Sequence, residues 1–141
     1  MSNKRRDFLK QLCKDFGIDI LYVFGSRAKQ VRDWIAGKGE IISSASSDVD
    51  IGVRLLPGRR LRFKEKTSLV IALEDFLGIN KLNLVVISEV APFLAANIIH
   101  GERLFFRNEY EADEYELYIL RRAGNLPLLE KERPEFIFGK N

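Results

Sequence analysis

Cysteine, histidine and long apolar runs are scarce in this sequence of 141 residues, and each scarcity excludes something. One cysteine, Cys13, rules out an internal disulfide. It recurs with Phe8, Leu9, Leu12 and Phe16 at helical spacing, so it reads as a small core residue. The one histidine, His100, falls just before Gly101 at an expected helix end, where cations and caps are favoured. It reads as a helix-terminal residue and not as a catalytic one. The basic start, Met1 to Lys10, leads into no continuous apolar segment, and no stretch is long and apolar enough for a bilayer. Neither a signal peptide nor a membrane span is expected, and the cytoplasm is the expected compartment. There is no internal repeat and no low-complexity segment. Net charge is modest too: +3 at pH 7 does not by itself argue for a nucleic-acid partner.

What is present suits one domain, 1–141: 46% of residues are hydrophobic and can fill a core, and 30% are charged. Lys4 to Phe16 reads as a helix ended by Gly17. Ile18 to Phe24 is mostly apolar on both faces and reads as an interior strand. A helix should begin near Ser26 and run towards Trp34. Gly37 to Glu40 and Ser43 to Ser47 read as loop, and the region of about 29–46 reads as an insertion. It is open whether that region is a plain surface loop, a lid or a partner contact; Trp34 reads as its anchor rather than as a base-stacking residue. Val49 to Leu56 is a second strand, closed by Pro57-Gly58. Arg62 to Leu77 is a helix with Gly78 after it, and Leu82 to Ile87 is a third strand. Ala91 to His100 is a helix with Pro92 in its first turn, and Arg103 to Phe106 is a fourth strand.

Glu109 to Arg122 is acidic first and basic last, which complements a helix dipole. Tyr115, Leu117, Tyr118 and Leu120 form an aromatic-apolar stripe on it, and its tyrosines, Tyr110 included, read as packing residues rather than modification sites. The tail from Gly124 to Asn141 carries Leu126, Leu128, Leu129, Phe136, Ile137 and Phe138, and is expected to pack on the domain or on another chain. A homo-oligomer is therefore open. Arg54, Arg59, Arg60, Arg62, Lys64 and Lys66 form the one basic cluster, which suits either a polyanion or a solvated helix entrance. Strands alternating with helices make the class α/β.

Two stretches carry chemistry. Phe24-Gly25-Ser26-Arg27 closes the first strand with a turn. Gly25 lets the backbone approach a ligand, Ser26 can cap the following helix, and N–H groups at a helix start attract anions. Downstream, Asp48 and Asp50 stand two apart at the opening of the second strand, so alternation projects them to one face. Two like charges that close favour a cation between them, and oxygen ligands favour a hard one such as Mg²⁺.

In this order, each against its own apolar run, the Gly-Ser and the Asp-x-Asp resemble the nucleotidyltransferases of the DNA polymerase beta superfamily. The nearest resemblance is to the minimal nucleotidyltransferases, small prokaryotic proteins often paired with HEPN-domain toxins. It covers roughly Ile18 to Phe106. The resemblance implies a small mixed β-sheet flanked by helices, with the site at one edge. It implies Mg²⁺ as cofactor, two ions in a fully active site, and ATP or another NTP as substrate. A nucleoside monophosphate, AMP first, would pass to a hydroxyl of a protein or RNA. A toxin–antitoxin setting would supply the acceptor as a tyrosine of a HEPN toxin.

Carried over residue by residue, the resemblance implies that Asp48 and Asp50 would be metal ligands and that Gly25 and Ser26 would hold the β and γ phosphates. Arg27 would add charge to that grip, and Ser47 would orient Asp48. The family's third carboxylate belongs on the third strand, where this chain reads Leu82-Asn83-Leu84-Val85-Val86. Asn83 can ligate but adds no charge and cannot accept a proton as a base. Glu89, just past that strand, and Glu40, in the region of 29–46, are the two carboxylates that could stand in for it. The departure at Asn83 raises the alternative of a degenerate, noncatalytic nucleotide-binding or partner-binding antitoxin subunit. A drug-modifying reading is weaker, because it would want a further helical domain.

Overall fold

The computed structural model of the protein describes residues 3–41 and 47–124. Most of the serine-rich stretch, 42–46, and the apolar tail from 125 onward lie outside the described residues. Helix α1 (Lys4–Asp15) leads to β1 (Ile18–Phe24), α2 (Ala28–Ile35), β2 (Val49–Leu55) and α3 (Phe63–Leu77). Then follow β3 (Leu82–Val86), one 3-10 turn (Ile87–Glu89), α4 (Pro92–Ile99), β4 (Glu102–Phe106) and α5 (Glu109–Arg122). The strands form one mixed sheet in the order β3-β2-β1-β4. β1 is antiparallel to both β2 and β4, while β2 and β3 run parallel.

The apolar character of β1 on both faces has its reason here, because all seven of its residues are buried between two helical layers. Leu21 and Val23 face a core shared with α1, α2 and α3; Ile20, Tyr22 and Phe24 face one shared with α4 and α5. β2 sends Val49, Ile51 and Val53 to the first core. On its other face α4 lies so close that a Cβ at Gly52 would meet Ile98 Cγ2 at 2.5 Å.

Local chemistry sets the helix ends. The Asn3 side chain accepts from the backbone N–H of Arg5 and Arg6 and starts α1. Gly78, at φ 72°, ends α3 in the left-handed conformation. Trp34 packs edge-on to Phe76, with ring centroids 5.2 Å apart, and Arg5 lies 4.1 Å over its ring.

Three details depart from the periodicity. The third strand stops at Val86, because Ile87 turns into the second core and begins the 3-10 turn. On α5 the buried face is Ala112, Tyr115 and Ile119, so Leu117 and Tyr118 of the expected stripe face outward. Lys29 to Ile35 belong to helix α2, so the irregular part of the region between the motifs starts only at Ala36.

Buried polar groups tie α5 to the sheet. The Tyr22 hydroxyl donates to Glu116 Oε2 at 2.6 Å, and Arg103 bonds Glu116 and Asp113. Asp19 is 1% exposed and accepts from Arg54 at 3.1 Å and Arg107 at 3.2 Å. Among the described residues, no helix is long and apolar enough to cross a membrane.

Candidate functional site

Strand pairing assembles the site where the end of β1 meets the starts of β2 and β3. Phe24 lies opposite Asp50 in the antiparallel pair, and Asp50 lies opposite Asn83 in the parallel one. The turn after Phe24 therefore comes down beside the Asp50 carboxylate. A Cβ at Gly25 would stand 2.5 Å from Asp50 Oδ2, and Gly25 has φ +82°. The backbone conformation favours glycine, and a side chain there would have to push the Asp50 carboxylate aside. On the other side, Asn83 Nδ2 donates to Asp50 Oδ1 at 3.4 Å. Asp50 is half-buried, and Asp48, one residue before β2, is exposed. The site is thus centred on β2, an interior strand, with β1 and β3 on either side. The expected position at one edge of the sheet is corrected to one end of three strands.

The two serines and Arg27 frame this centre. Ser26 is exposed and lies in a turn closed by Ala28 N–H donating to the Gly25 carbonyl at 3.3 Å. Gly25 is left-handed at the start of that turn, and the helix begins only at Ala28. Arg27, not Ser26, takes the N-cap position, and no side chain caps α2. The capping role expected of Ser26 is therefore corrected. Arg27 is 5% exposed. Its Nε and Nη2 donate to Gln30 Oε1 at 3.1 and 2.7 Å, and its Nη1 to the Ser47 carbonyl at 3.2 Å. Arg27 therefore fastens the residue before Asp48 to the start of α2. Gln30, which shares the guanidinium, was not singled out in the sequence. Its signal is its place one helical turn after Arg27.

Asp48, Asp50 and the amide oxygen of Asn83 are hard oxygen donors, which fit one hard divalent cation. Among the described residues, no group of three or more His, Cys, Asp or Glu side chains converges. Glu89 is no substitute: the chain leaves the strand before reaching it, and it lines a groove at the far end of the sheet. Glu40 is exposed in the loop after α2, and His100 is the exposed C-cap of α4.

The profile of the family "Polymerase beta, Nucleotidyltransferase" matches residues 7–111. No curated protein matches the sequence. Among solved structures, a presumptive minimal nucleotidyltransferase is 29% identical, with 70% of this chain and 87% of that one covered and a TM-score of 0.51. A toxin–antitoxin structure with AMP-PNP is 16% identical, with coverage of 85% and 86% and a TM-score of 0.60. A tri-AMPylated HEPN toxin from Shewanella oneidensis in complex with its MNT antitoxin gives 16% identity, coverage of 86% and 85%, and a TM-score of 0.57. The last two likenesses show the fold, and they match the mixed sheet and flanking helices described above. With the profile spanning three quarters of the sequence and the Gly-Ser turn paired in space with the Asp-x-Asp strand, the chain belongs to the polymerase beta nucleotidyltransferase family.

Proposed function

We propose that the protein is an antitoxin-like nucleotidyltransferase of the cytoplasm. It would move a nucleoside monophosphate, AMP first, from an Mg²⁺–NTP to a hydroxyl of a partner protein or RNA. The observation that carries this reading is the meeting of the Gly25 turn with the Asp50 carboxylate, where a Cβ would stand 2.5 Å from Oδ2. A backbone cradle suited to phosphate and an acidic group suited to its counter-cation thus share one point. Asp48 and Asp50 would hold Mg²⁺, which when bound neutralises triphosphate charge. Gly25 and Ser26 offer an open, exposed backbone to the β and γ phosphates. Arg27 works by position: its bond to the Ser47 carbonyl sets the approach to Asp48. The neighbours with AMP-PNP and with an AMPylated HEPN toxin support ATP as donor and a HEPN-type partner as acceptor, and the family resemblance points to a tyrosine of that partner.

One observation favours a second reading. The Asn83 amide donates to Asp50, so it holds that carboxylate but can take no proton from an acceptor hydroxyl. A subunit that binds nucleotide and partner without turnover is the result if nothing else supplies the base. Calorimetric titration with ATP, in Mg²⁺ and then in EDTA, tests the site. Binding that needs Mg²⁺ and vanishes in Asp48→Ala with Asp50→Ala is expected; no binding in any condition would sink the enzyme reading. Transfer of label from α-labelled ATP to a HEPN-type partner then separates the two readings, since the noncatalytic subunit binds the partner and leaves it unlabelled.

A further inference from the structure

The end of β2, the loop that follows it and the first turn of α3 carry a net positive charge, while the rest of the molecule is net negative. Residues 54–66 hold six cations against one carboxylate, Glu65, although the whole chain has a net charge of only +3. The remainder of the chain is therefore net negative. Arg54 is spent on Asp19 and on the ring of Tyr115, 4.2 Å away. Arg59, Arg60, Arg62, Lys64 and Lys66 form no salt bridge among the described residues, whereas Arg32, Arg103 and Arg107 all do. In the middle of them Phe63 is 85% exposed, which leaves almost the whole ring in water without a packing partner. Arg59 and Arg60 continue into the wall of a groove of about 950 Å³, which also shows Tyr110 (72% exposed), Tyr118 (49% exposed) and Arg122. Of the three carboxylates in that wall, Glu111 is taken by Arg107, leaving Glu89 and Glu114.

We infer that this surface binds a single-stranded polynucleotide, with its phosphates on the cations of 59–66 and unpaired bases stacked on Phe63 and the groove tyrosines. Clustered, unpaired arginines and lysines are the electrostatic footprint of a polyanion. Exposed aromatic rings between them select a ligand with free π-faces, which single strands have and duplexes lack. An anionic membrane would need a broad apolar face beside the charge, and Phe63 is the one large, fully exposed apolar residue within the basic run. The surface lies at the opposite end of β2 from Asp50, so its test does not involve the nucleotide site.

The test is fluorescence anisotropy of a labelled oligonucleotide of about 16 nucleotides, as RNA and as DNA, over a salt series. Five neutralised phosphates predict a slope of log K against log salt near −3.5, or about a 100-fold loss between ~50 and ~200 mM salt. Arg59→Ala with Arg60→Ala should bring the slope to about −2. Phe63→Ala, at an exposed position that leaves the fold intact, should weaken binding about 10-fold with the slope unchanged. Lys10→Ala with Lys14→Ala, equal in charge but on the exposed face of α1, should change affinity less than twofold. Binding of either polymer with these responses supports the inference, and the tighter one names the ligand. It is overturned by no binding at low salt, by equal loss in the α1 control, by an unaffected Phe63→Ala, or by a preference for phosphatidylserine vesicles over both polymers. Circular dichroism of each variant confirms that it is folded.

Discussion

Substituting Asn83 by aspartate puts a third carboxylate into the site and turns a holding interaction into a repulsion. The new oxygen would stand about where Nδ2 lies, 3.4 Å from Asp50 Oδ1. Asn83 is exposed and Asp50 half-buried, so a water-like dielectric applies. Two unit charges at that distance then repel by about 1 kcal/mol. The lost amide bond is long and adds at most about 1 kcal/mol more. For a domain of this size each kcal/mol moves Tm by about 4 °C, so Asn83→Asp should melt roughly 4–8 °C below the parent in EDTA. Mg²⁺ should reverse the order of effects. A cation at 100 times its Kd stabilises by about 2.7 kcal/mol, and the third carboxylate tightens that Kd in the variant. Melting curves of parent and variant across an Mg²⁺ series read this directly: the variant starts lower and gains more. If Asn83 marks only a missing base, transfer to an acceptor should also rise, by about 10²–10⁴. A variant as stable as the parent in EDTA, or one no more responsive to Mg²⁺, would refute the placement of position 83 against the cation site.

Gly25→Ala should lose ATP binding and about 1–2 kcal/mol of stability, because φ +82° strains any Cβ and the Asp50 carboxylate occupies its space; unchanged titration calorimetry would contradict this. Asp19→Ala should cost about 2 kcal/mol in urea unfolding, less than a fully buried pair would, since Arg54 and Arg107 are 30% and 45% exposed and can return to water; a loss under about 0.5 kcal/mol would be inconsistent. Alkaline stability follows from two buried acids. Burial pushes the Cys13 thiol above its usual 9.0, and burial with the Glu116 hydrogen bond pushes Tyr22 above 10.0. The folded state keeps these protons while the unfolded chain releases them. Stability is therefore complete below pH 9.0 and falls as pH rises, at about 1.4 kcal/mol per pH unit for each group. Urea midpoints measured from about pH 8 to about pH 11 should bend near 9.0, and in Cys13→Ala nearer 10.0; a flat profile would exclude both shifts.

Period and punctuation carried most of the fold. The run from Ile18 to Phe24 could be read as an interior strand because, Asp19 apart, it is apolar on both faces, as strands buried on both sides are. Helix α5 was legible to the residue, since its charges order themselves along the dipole; the Asn108 side chain that caps it was not singled out in the sequence. Its buried face was not legible, because Tyr and Leu recur on two sides of it and the packing of α5 against α4 and the sheet decides which side is covered. At the site, the pairing of Gly25 with Asp50 is a long-range register, invisible to any local pattern and fixed only when β1 and β2 zip together. The burial of Arg27 was illegible for a similar reason: an arginine after Gly-Ser looks like a surface cation until Gln30 and the Ser47 carbonyl close around it. Asn83 could be aligned from sequence, but its bond to Asp50 depended on the parallel register of β2 and β3.

Opposite charges flank β2, with Asp48 just before it and Asp50 near its start, and Arg54 near its end leading into the basic loop. From Asp50 to Leu55 the strand advances about 17 Å by its rise per residue. Physiological salt screens exposed charges beyond about 8 Å, so occupancy at one end should barely alter the other there. At ~0.01 M ionic strength the screening length reaches about 30 Å, and the acidic end should then repel a polyanion lying on the basic one. Mg²⁺ at Asp48 and Asp50 would relieve that repulsion. Oligonucleotide affinity should therefore rise on replacing Asp48 and Asp50 by asparagine at low ionic strength, and stay constant at physiological salt. An effect equally large at both salts would mean that the ends communicate through the strand itself and not through the field.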